Sequence, residues 1–132
     1  MDTREPAVEG RFYPSSKKEI EGLIEQIEQR DRYVEFKKTG IEVIGAVLPH
    51  AGHVYSGYQC IPFFKYIGNS EIIPETIIIL NPNHSGFGAP IALDANKKWK
   101  NALGTLKIDK ELGKLLSYPE DSRAHDNEHS CE

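Results

Sequence analysis

Two aliphatic runs constrain this chain more than any other feature. Val43-Ile44-Gly45-Ala46-Val47-Leu48 leads into Pro49-His50, and Thr76-Ile77-Ile78-Ile79-Leu80 leads into Asn81-Pro82-Asn83-His84. Residues 42–48 are apolar almost throughout rather than alternating, as expected of a strand covered on both faces, and residues 76–80 are rich in β-branched side chains. In each case a proline, which cannot continue a strand ladder, ends the run, and a histidine follows within two residues. Between the runs, the segment from Ser56-Gly57 to Gly68 reads as a helix carrying Tyr58, Ile61, Phe64, Lys65 and Tyr66. Pro62 is tolerated only in a first turn, so this helix either starts late or kinks there. Strand, helix and strand within roughly 40 residues make a βαβ unit with parallel strands and a right-handed crossover.

Ligands in open α/β sheets gather beyond the carboxyl ends of the strands. This reading puts both His50 and His84 there. Adjacent strands lie ~4.8 Å apart, so two imidazoles on the following loops can converge on one ion. Two histidines leave a transition metal short of ligands. A carboxylate as third ligand would suit non-haem Fe(II), and a thiolate would suit copper or zinc. His53 is a candidate supporting group behind His50. Tyr55 is a candidate proton donor, although packing is the more ordinary role for such a ring.

The remaining chain is read around this pair. Pro6, Gly10 and Pro14 exclude a helix at the start, where Phe12 and Tyr13 anchor an irregular arm and Arg11 or Tyr13 is a less favoured site residue. Ser16 and Glu19 fit a capping box, and Ile20, Leu23, Ile24 and Ile27 then recur on one helical stripe to about Arg30. Residues 33–40 form a charged connector with Thr39-Gly40 as its turn. Residues 90–94 suggest a short strand, residues 96–100 an exposed polar stretch anchored by Trp99, and residues 103–108 another strand. Asp109 caps a short helix over residues 110–116. The final stretch, His125-Asp126-Asn127-Glu128-His129, matches the H-x-x-E-H string of inverted zinc peptidases. That reading requires a helix with His125 and His129 on one face.

Composition narrows the function. The chain has 132 residues, enough for one domain, and a net charge of −4, which offers no broad basic footprint for nucleic acid. No apolar run approaches the ~20 residues needed to cross a bilayer. The first residues have no apolar signal core, and Cys60 and Cys131 fit neither a disulfide framework nor a ligand spacing. A cytoplasmic location is expected.

Several segments together resemble the Memo family, the AmmeMemoRadiSam system protein B group. Residues 4–14 are similar to the family's opening. Pro49-His50-Ala51-Gly52 through Tyr55-Ser56-Gly57 resembles its PHAGYVYSG motif, and Asn81-Pro82-Asn83-His84 resembles GPNH. Leu103-Gly104 resembles part of TPLG, and Ala124-His125 through Glu128-His129-Ser130 resembles AHxxEHS. The sequence departs from these patterns at His53, Asn81, Asn101-Ala102 and Cys131.

The resemblance implies an α/β fold related to the class III extradiol dioxygenases, with three layers and a central, largely parallel or mixed sheet between helices. It also implies a mononuclear Fe(II) or Cu site, with Zn as another option, and redox or dioxygenase-like activity on a small-molecule or peptide substrate. His50 and His84 match the family's metal histidines. Its third ligand, a cysteine, is expected outside this chain. Glu128 and His129 are placed beside the cleft and, with Tyr55, are the expected catalytic residues. Residues 1–132 then form a single Memo-like domain, expected to be truncated because family members are about twice as long. The alternative function is a non-catalytic adaptor that binds a peptide or protein through the same cleft or an open sheet edge.

Overall fold

The computed structural model describes residues 2–30, 32–36, 43–71 and 73–132. The expected turn at Thr39-Gly40 and the first residue of the 42–48 run lie outside these. The chain divides into two compact units, Arg11–Ile77 and the combined segments Met1–Gly10 and Ile78–Glu132.

The first of these units is helical. Helix α1, Lys17–Glu28, starts at Ser16, whose side chain accepts from the Glu19 N–H at 3.3 Å while its hydroxyl meets the Glu19 carboxylate at 2.6 Å. The expected apolar stripe is present, with Ile20 and Ile27 almost wholly buried. Helix α2, His53–Gly68, begins three residues earlier than Ser56 and runs through Pro62 without ending. Pro62 is buried, so apolar packing offsets the N–H that a proline cannot give to the ladder. Gly57 lets α1 approach, because a Cβ there would lie 2.8 Å from the Ile27 side chain. Lys65 and Glu28 form an ion pair between the two helices.

The other unit holds a small mixed sheet. Strands β1 (Thr3–Arg4), β2 (Lys98–Asn101) and β3 (Gly104–Lys107) lie in the order β1-β2-β3. β1 is parallel to β2 and β2 is antiparallel to β3, in a register that sets Arg4 beside Trp99 and Trp99 beside Leu106. The stretch over residues 96–100, expected to be merely polar and exposed, therefore supplies the central strand. The expected strand at residues 90–94 is reduced to a parallel bridge between Leu93 and Glu120. Helix α3, Lys110–Lys114, is capped by Asp109, which accepts from the Leu112 N–H at 2.9 Å. A 3₁₀ turn, Ser122–Ala124, leads into the final turns of the chain.

The chain thus combines helices with a small mixed sheet, but not by the expected pairing. Among the described residues, neither residues 43–48 nor residues 76–80 form a hydrogen-bonded strand, and most of their side chains are exposed. Ile44, Val47 and Leu80 are at 97%, 101% and 93% of full exposure. The βαβ unit read from these runs is accordingly not observed. Apolar character alone specified burial on two faces, whereas among the described residues most of these side chains are exposed.

Candidate metal centre

The sheet unit is unusual in burying polar groups. Arg4, Asn96 and Glu128 are each at most 2% exposed. Buried polar groups must be hydrogen-bonded, and buried charges must be paired as well. Asn96 meets this demand by donating its side-chain amide to Asp94 at 2.9 Å and Asp126 at 3.2 Å. Trp99 donates its indole N–H to the same Asp94.

Glu128 is the centre of the second network. Its Oε2 accepts from the His84 backbone N–H at 2.7 Å. Its Oε1 lies 2.8 Å from His84 Nδ1 and accepts from the backbone N–H groups of His129 and Ser130, each at 3.0 Å. Burial pushes the carboxyl pKa upward, but the hydrogen bonds from His84 and Ser130 outweigh burial and hold it at about 2. Glu128 is therefore ionised at neutral pH. Its contact with His84 then requires the proton to sit on Nδ1, because an ionised carboxylate can only accept. In the neutral ring this assignment puts the lone pair on Nε2.

His129 completes the cluster. Its ring stacks on that of His84, with centroids 4.5 Å apart and planes 26° from parallel. One ligand atom from each of His84, Glu128 and His129 lies within 4.8 Å of the other two. Two imidazoles and an ionised carboxylate form a donor set suited to a divalent transition metal. Local turns shape each side of this cluster. His84 lies just past Pro82, where Asn83 Oδ1 accepts from the Ser85 hydroxyl at 2.8 Å and the Gly86 N–H at 2.9 Å. Residues 128–130 turn so that two successive N–H groups face back onto the Glu128 side chain.

The expected site residues His50, His53 and Tyr55 belong to the helical unit. His50 is exposed and belongs to the helical unit, so the two histidines matched to metal motifs fall in different units. His53 stacks on Tyr13 at 4.9 Å and donates its backbone N–H to the Phe12 carbonyl, a packing role. Tyr55 is exposed in the first turn of α2. It lines an open cavity of about 570 Å³ with Gln29, Arg30, Arg32, Val54 and Tyr58. Residues 125–129 form turns rather than a helix, and His125 Nε2 lies 3.2 Å from the Ala92 carbonyl. The helical face that a zinc peptidase of the H-x-x-E-H type requires is therefore absent from this stretch. Sequence reading named His84, Glu128 and His129 as site residues but not the direct contacts among them. The signal was the density of acid and imidazole in residues 125–129, but separation from His84 by more than forty positions hid the convergence.

Comparison with known proteins agrees with the motifs. A family model described as Memo-like protein matches residues 4–132. A MEMO1 family protein of Thermococcus onnurineus is 39% identical over 98% of this chain and 44% of its own length. One of Aquifex aeolicus is 38% identical over 100% of this chain and 48% of its own length. One of Methanosarcina acetivorans is 37% identical over 100% of this chain and 47% of its own length. The chain thus spans about half the length of the curated relatives it matches. Among the described residues, no helix is long and apolar enough to cross a membrane.

Proposed function

Because the chain belongs to the Memo-like protein family, we propose that it acts as a metalloprotein of the redox type, holding one Fe(II) or Cu ion at His84 and His129, with Glu128 supporting the His84 ring from behind. The observation that carries this reading is the convergence of two imidazoles, those of His84 and His129, on one ionised, buried carboxylate. Zinc is compatible with the same donors.

The chain's own residues prepare the site in three ways. Glu128 holds the proton on Nδ1 of His84 and so presents its other ring nitrogen as the ligand, as carboxylates do behind many metal histidines. Stacking against His129 fixes the plane of the His84 ring. Burial of Glu128 keeps its charge in a weakly screened environment, which strengthens its pull on any cation held nearby. A bound transition metal would supply Lewis acidity and, for iron or copper, one-electron redox chemistry. The ligand role expected for His50 rests on its motif.

Anaerobic titration with Fe(II), repeated with Zn(II), tests the reading. The wild-type chain should bind about one ion, and His84→Ala and His129→Ala should each weaken binding at least tenfold. Wild-type affinity in His84→Ala would sink the proposal. His50→Ala in the same titration tests the motif-based ligand.

A further inference from the structure

Behind the candidate centre lies Arg4, a cation that is 2% exposed and 124 positions from Glu128 in sequence. Its guanidinium reaches three acceptors. Nε donates to the His125 carbonyl at 2.9 Å, one terminal nitrogen donates to the Glu128 carbonyl, and the other pairs with Glu132 Oε1 at 2.6 Å. Its flat face lies over the Trp99 ring, 4.4 Å from the centroid. Glu132 is held from the far side as well, accepting from the N–H groups of Ala7 at 2.7 Å and Val8 at 3.1 Å.

These contacts grip one turn of chain from both sides. The carbonyls of residues 125 and 128 face Arg4, while the N–H groups of residues 129 and 130 face the Glu128 carboxylate. The direction of that carboxylate, and hence its aim at His84, is fixed by the main chain that Arg4 holds. We propose that Arg4 is a positioning residue for the metal centre: it clamps the 125–132 turn and thereby keeps Glu128 aimed at Nδ1 of His84. The inference rests on the metal reading for its consequence, but its geometry belongs to the protein alone. Lysine cannot do the same work. A single ammonium cannot serve three in-plane acceptors and stack on an indole at once. Other ties, His125 to Ala92 and Asn96 to Asp126, hold the start of the turn, and the N–H groups of Ala7 and Val8 hold the Glu132 side chain, but Arg4 grips the main-chain carbonyl of residue 128 itself.

The test uses Arg4→Lys, which keeps the buried charge, and Glu132→Gln, which removes the carboxylate anchoring the guanidinium. Long-range proton–nitrogen NMR on the metal-free chain reads the His84 tautomer. The wild type should show His84 protonated on Nδ1, and Arg4→Lys should show a mixture of tautomers, with a far-UV circular dichroism spectrum like the wild type. The Zn(II) dissociation constant should rise roughly 10- to 100-fold, the usual cost of losing support behind a metal ligand. Glu132→Gln should move both readouts the same way by a smaller factor, and it decides the matter should Arg4→Lys not fold. A folded Arg4→Lys, or failing that a folded Glu132→Gln, with wild-type tautomer and affinity would overturn the proposal. A tautomer that responds to Arg4→Lys in a chain that binds no zinc would instead sink the metal reading and leave the positioning role standing.

Discussion

At the scale of single residues, Glu128 shows how burial and hydrogen bonding compete. Burial alone would raise its pKa, yet donors from His84, His129 and Ser130 surround the carboxylate and the pKa is held at about 2. A carboxyl depressed in the folded state contributes stability that is fully present above its unfolded pKa, near 4.5, and is lost as pH falls through about 2. Glu128→Gln should remove that contribution, about 3–4 kcal/mol at pH 7 for a fall from 4.5 to about 2 at ~1.4 kcal/mol per unit. Urea unfolding followed between pH 7 and pH 2 checks this: the wild type should lose stability in that window, and the variant should start lower and lose less. Cys131 shows burial winning instead. Desolvation raises its thiol pKa to about 12 against the opposing influence of Arg4. It should resist iodoacetamide at pH 8 in the folded chain and react promptly in urea, which mass spectrometry of the labelled peptide would reveal.

At the scale of elements, the decisive positions are those where backbones approach closely. Gly88 has φ of +76°, and a Cβ there would lie 2.8 Å from the Ala124 backbone nitrogen and 3.0 Å from Asp121 Oδ2. Asp121 meanwhile accepts from the Ala89 N–H at 3.0 Å and caps the 3₁₀ turn through the Arg123 N–H. Gly88→Ala combines a left-handed conformation with a backbone clash next to the turn that leads to Glu128, so it should cost about 2–3 kcal/mol. Gly57→Ala meets the ends of the Ile27 and Ile61 side chains rather than backbone and should cost less. Chemical denaturation of the two variants side by side checks the order. Ser16→Ala, which removes the cap of α1, should cost about 1 kcal/mol in the same assay.

At the scale of the whole molecule, the exposed aliphatic segments dominate. Residues 43–48 in one unit and residues 78–80 in the other have no regular secondary structure and leave several large side chains exposed. Exposed apolar stretches of this size invite association. The chain should therefore bind the dye ANS in its native state and self-associate at raised concentration, and Val47→Lys with Leu80→Lys should reduce both without loss of helicity. Light scattering and dye fluorescence check this. A wild-type chain that stays monomeric and dark to the dye would mean that these residues are covered in solution.

The sequence by itself determined what is local. The stripe and cap of α1, the strand at residues 104–107 and the Asp109 cap could be read from spacing, because each depends on contacts within a few positions. The motif order likewise marked the family, and with it His84, Glu128 and His129 as residues of interest. Only tertiary structure decided that a dipeptide strand at Thr3–Arg4 joins the sheet, that Arg4 sits behind Glu128, and that Glu128 meets His84 within its unit. Those pairings join positions 44 to more than 120 apart in the chain, and no periodicity encodes them. The aliphatic runs failed as strands for the same reason: hydrophobicity states that a segment needs a cover, while the cover is supplied by other parts of a fold.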